Sequence, residues 1–163
     1  MKFRRWSGIL INGILAGFVI AAGAARLGRA SLRLSITDQD SHKRYIQWTV
    51  KDEDIFAIEF IHSVNNSPVK ETFMITGPEI RPIASRFSAV GAGIQTELEE
   101  PQVLIRDGEF LVITGFSNSY KELNYIVGTV SDHILYIHNQ VISLRDLCGK
   151  NAHITIRVKR GVL

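Results

Sequence analysis

Cysteine is almost missing from this chain: Cys148 is the only one, so no intramolecular disulfide can form. A lone thiol between Leu147 and Gly149, with no local cation and base to activate it, reads as a small apolar side chain rather than a nucleophile. Net charge is equally scarce once its source is located. Lys2, Arg4 and Arg5 are the only charged residues before Arg26, and removing them leaves 19 − 3 = 16 basic residues against 16 acidic ones. The pI near 9.2 therefore belongs to the N-terminus. The body carries no electrostatic footprint for a polyanion, which argues against nucleic acid as a partner.

Several chemical signatures are absent as well. No Gly-x-Ser-x-Gly elbow exists to present a serine nucleophile. Gly91-Ala92-Gly93 follows an apolar strand, but "GAGIQT" lacks the third glycine of a dinucleotide fingerprint and no helix follows. It reads as a bulge or tight turn, or as a point of close backbone approach to a ligand or partner. His133 and His138 lie an odd number of residues apart, and His42 and His153 have no acidic or cysteine companions at ligand spacing. The pattern implies no metal and no cofactor.

What the chain does have begins with "SGILINGILAGFVIAAGAA" (residues 7–25), uncharged and about the length of a membrane-spanning helix. Lys2, Arg4 and Arg5 ahead of it favour a cytoplasmic N-terminus, with Trp6 at the interface. Small residues at 22–25 suit a cleavage site, and Gly13, Gly17, Ala21 and Ala25 suit an uncleaved anchor with one small-residue face. Either reading divides the chain into residues 1–30, a signal anchor or signal peptide with its linker, and an extracytoplasmic domain over 31–163. That domain is single-pass membrane-tethered in the first case and secreted or periplasmic in the second.

From residue 31 the pattern is β almost to the end. The expected strands are Leu32–Ile36, Arg44–Val50, Ile55–Val64, Val69–Thr76, Ile80–Val90, Val103–Arg106, Phe110–Phe116, Asn124–Val130, Ile134–Ile137, Val141–Leu144 and His153–Lys159. They are short, rich in Ile, Val, Phe and Tyr, and separated by turn residues such as Asp107-Gly108 and His138–Gln140. No later segment has a sustained helical period; "SYKELNY" suits at most one turn. The expected fold is all-β: an antiparallel sandwich or flattened barrel of about ten strands, preceded by one hydrophobic helix.

The stretch "FIHSVNNSPVKETF" (residues 60–73) reads as a hairpin. A four-residue loop over Asn65–Pro68 pairs Val64 with Val69, and so places His62 opposite Glu71, Phe60 opposite Phe73 and Ile58 opposite Ile75. An imidazole beside a carboxylate on the apolar face is either a recognition couple that titrates near neutrality or a latch that holds the register. Ser63 points to the other face, so it forms no dyad with His62.

Together with "RFSAVGAGIQ", this stretch resembles a bacterial family of small extracytoplasmic proteins classed as a domain of unknown function. The resemblance rests on His62, Ser63, Val64, Pro68, Val69, Glu71, Phe87, Gly91, Ala92 and Gly93, with "HILYIHNQVISLRDLCG" and "ITIRV" similar to the family's closing hairpin and strand. Gln95 departs from it, where a proline often follows the glycine motif. The resemblance implies a genetic link to fused permeases of tripartite ATP-independent periplasmic (TRAP) transporters with TAXI-type binding proteins. The expected function is an accessory of such a system, contacting the permease or the binding protein, or recognising solute. Binding falls to His62, Ser63, Glu71, Gly91, Ala92 and Gly93, and a carboxylate held by the His62 imidazolium is one form of it. The alternative is a ligand-binding sensor or scavenger. A hydrolase using His62 and Glu71 ranks last, because no nucleophile accompanies them.

Overall fold

The computed structural model describes residues 31–63, 66–88 and 97–161. The apolar run at 7–25 and the Gly91-Ala92-Gly93 motif lie outside them. Among the described residues no helix is long and apolar enough to cross a membrane.

Among the described residues eleven strands form: β1 (Leu32–Asp38), β2 (Arg44–Val50), β3 (Ile55–His62), β4 (Ser67–Thr76), β5 (Glu79–Phe87), β6 (Val103–Asp107), β7 (Phe110–Thr114), β8 (Glu122–Ile126), β9 (His133–Ile137), β10 (Gln140–Ser143) and β11 (His153–Arg160). Every expected strand is present, most with shifted ends. One five-residue helix, α1 (Leu144–Cys148), was not expected. Ser143 caps it by accepting the Asp146 N–H at 2.9 Å. "SLRD" thus carries the Ser-x-x-acid start of a helix too short to show a period. The anticipated turn in "SYKELNY" is instead the entry into β8.

The strands build two antiparallel sheets, β2-β1-β11-β8 and β10-β9-β3-β4-β5-β7-β6. Neither order returns to its starting strand, so the architecture is an open sandwich and not a flattened barrel. Tight turns set the hairpins. His138 and Asn139, both at positive φ (46° and 62°), link β9 to β10 as a two-residue loop.

Strand alternation assigns each inner face. Leu34, Ile36, Ile154, Ile156 and Val158 of the small sheet meet Phe56, Ile58, Phe73, Ile75, Leu135 and Ile137 of the large one. Full burial of each such side chain is worth roughly 1.5–3 kcal/mol. A second, smaller cluster of Val69, Phe87 and Ile113 sits on β4, β5 and β7, with Phe60, Leu111 and Phe116 against it. Cys148 packs beside the main core, where burial pushes its thiol up to about 11. That is the inert apolar role read from the sequence.

The β3–β4 register differs from the expected one. Ser67 lies opposite His62, Val69 opposite Phe60, Glu71 opposite Ile58 and Phe73 opposite Phe56. The turn closes two residues early, over 63–66, with the Asn66 N–H on the His62 carbonyl at 2.9 Å and Asn66 at φ 48°. Pro68, assigned to the loop by turn preference, enters the strand instead. It lies one residue beyond Val69, the last β4 position with a β5 partner, and a missing N–H is tolerated at such a margin. The slip is even, so every side chain keeps its face.

Candidate functional site

Because of that register, His62 and Glu71 are not cross-strand partners. Glu71 faces Ile58, four residues from His62 and on the order of 13 Å away along the strand. The expected pair is thereby corrected. Both residues nevertheless line one cavity of about 530 Å³ between the sheets. Its walls come from inner positions of β3, β4, β5 and β7, from Leu123 and Tyr125 of β8, and from the segments before β6 and after β7.

Glu71 has a partner in the opposite sheet. Its Oε2 accepts the Tyr125 hydroxyl at 2.6 Å, across 54 residues of sequence. Burial raises the Glu71 carboxyl above its ordinary range, with the Tyr125 hydrogen bond working against the rise. Burial and the neighbouring Glu71 charge push the Tyr125 hydroxyl well above 10. Neither shift reflects a basic neighbour. Glu71 is thus a carboxylate set into an apolar face with one neutral donor, an arrangement that costs free energy while it stays charged.

Beside this pair, His133 stacks on Phe60 with centroids 5.0 Å apart and meets the edge of Tyr125 at 6.0 Å. Its Nδ1 accepts the Gly128 N–H at 3.2 Å, so the neutral ring carries its proton on Nε2. Burial lowers the His133 pKa, with Asp132 opposing, which keeps the ring uncharged at neutral pH. It serves as a flat wall behind Tyr125. Inward alternation from Leu135 and Ile137 was the available signal for His133. Tyr125 carried no comparable signal, because its role depends on which strand lies across the core.

Backbone contacts hold two of the lining segments. Ile80 and Tyr120 exchange two N–H···O=C bonds of 2.8 Å, which fix the segment bearing Asn118 and Tyr120 over β5. Opposite it, the turn bearing Glu99 and Gln102 packs onto the end of β7 at Gly115 (φ 79°). A Cβ there would lie 2.5 Å from the Pro101 carbonyl oxygen, so the close approach needs glycine. Ser63 is exposed in its turn. Among the described residues no group of three or more His, Cys, Asp or Glu is arranged to hold a metal.

The fold and cavity define a class: a two-sheet antiparallel β-sandwich with a mixed apolar and polar chamber at one end. The chain belongs to the family described as Domain of unknown function (DUF1850), whose model matches residues 56–144. That span runs from β3 to the start of α1 and includes Glu71, Tyr125 and His133. No curated protein and no solved structure matches the chain.

Proposed function

We propose that the domain is a non-enzymatic recognition module that takes a small solute into the cavity between its sheets. The observation that carries this reading is the chamber itself: about 530 Å³, with phenyl and aliphatic walls and a few polar groups converging on it. Pockets of that size and lining suit small molecules. Glu71 and Tyr125 form its polar anchor, and His62 stands at its β3 end. The pair supplies no nucleophile, which favours binding over hydrolysis.

In this reading the module is an extracytoplasmic accessory of a TRAP transporter with a TAXI-type binding protein. It is tethered by residues 1–30, or released if they are cleaved. The motif resemblance supports that setting, and the cavity supports solute recognition as the way it acts; a free-standing sensor or scavenger would use the same chamber.

The test uses the full chain in detergent. A thermal-shift screen of small polar and amphipathic compounds should yield stabilising ligands. Ser85→Trp, which places an indole in the chamber beside Glu71, should abolish their effect while circular dichroism stays that of a β protein. Ligands that stabilise wild type and Ser85→Trp equally would place binding elsewhere. Crosslinking and co-purification with a TRAP permease should recover the pair if the accessory role holds, and repeated failure would leave the free-standing sensor.

A further inference from the structure

We propose that the cavity selects a small ammonium compound with an apolar body, its cationic nitrogen against Glu71 and its body among the phenyl rings. This rests on the solute-binding reading and adds the sign of the ligand's charge. Six aromatic side chains line the chamber: Phe60, Phe73, Phe87, Phe116, Tyr120 and Tyr125. Their ring faces are electron-rich and attract cations most strongly where water is excluded. Glu71 and Glu99 both line the chamber, and no lysine or arginine is among the described lining residues.

Glu71 gives the preference its direction. Among the described residues its carboxylate receives one side-chain hydrogen bond, from the Tyr125 hydroxyl, and no lysine or arginine pairs with it. A half-buried carboxylate in that state is under-compensated, and an arriving ammonium group would supply both the missing charge and further donors. A carboxylate ligand would instead add a like charge beside Glu71, with the His62 imidazole as the lining group able to offset it. The aromatic walls and the single under-compensated acid therefore favour a cation over the anion suggested by His62 alone.

The test compares three probes of one shape and different charge: phenethylammonium, 2-phenylethanol and phenylacetate. Each is titrated calorimetrically into the full chain in detergent at neutral pH. Phenethylammonium should bind more tightly than the alcohol by roughly tenfold or more, the size expected for a charge-assisted hydrogen bond, and phenylacetate weakest. Glu71→Gln keeps an acceptor for Tyr125 and should erase the preference for the cation without weakening the alcohol. Phenylacetate binding as tightly as the ammonium, or a preference that survives Glu71→Gln, would overturn the proposal. So would no binding of phenethylammonium to wild type. In that last case, alcohol or phenylacetate binding that Ser85→Trp removes would leave the solute-binding reading standing while the charge preference falls. Should Glu71→Gln fail to fold, the ranking of the probes on the wild-type chain decides.

Discussion

Along one row of the large sheet, from β9 to β7, the inward residues are Leu135, Ile58, Glu71, Ser85 and Ile113. The first two have no exposed surface and sit under the small sheet, among Leu34, Ile36 and Ile156. The next three line the cavity, and the last of them also belongs to a separate apolar cluster. The alternation is the same throughout; what changes is the layer facing it. Among the described residues seven strands lie against four and β8 ends the small sheet, so part of the large sheet has no described strand across from it. The closed part of the sandwich holds the fold together. The open part makes room for polar groups that would be too costly in a sealed core.

This contrast is easiest to break from the closed side. Ile156→Ala leaves a void under well-packed neighbours and should cost about 2–5 kcal/mol in urea unfolding. Ser85→Ala, at an inward position of the open part, should stay within about 0.5 kcal/mol. Similar costs for the two would mean that the chamber is sealed core.

A middle-sized effect should come from Gly115→Ala. Positive φ and the close Pro101 carbonyl together should cost roughly 1–3 kcal/mol. Hydrogen exchange should show the loss concentrated in the turn carrying Glu99 and Gln102, and a uniform loss across both sheets would contradict that turn's local role.

The smallest effect is a change in pH dependence. Burial raises the folded pKa of Glu71 above its ordinary 4.5, so the folded state holds that proton longer than the unfolded chain does. The resulting stability is fully present below about 4.5 and is lost as pH rises through the folded pKa. Glu71→Gln cannot titrate, so it should gain on wild type as pH climbs from 4.5 towards neutrality. Parallel stability profiles would show Glu71 to be solvated rather than buried.

Residues 60–73 show how far the sequence could be read. Alternation put His62 and Glu71 on one inward face, and they are there, lining one cavity. The loop offset was misjudged, because Pro68 has turn preference yet is tolerated at a sheet margin. Val141–Leu144 was read as a strand after a turn over His138–Gln140, and the strand in fact runs Gln140–Ser143. The end of that strand, "SLRD", hid α1, since a single helical turn rests on its cap rather than on a period.

By itself the amino-acid sequence determined the eleven strands, the face their side chains take and the balance of charge in the body. Period-two alternation is local, and an even slip in register leaves it intact. Only the tertiary structure decided that Tyr125 is the partner of Glu71 and that the sandwich opens into a chamber. Both follow from which strand of one sheet crosses which of the other. Strand counts and long-range packing set that crossing, and no short stretch of the chain encodes it.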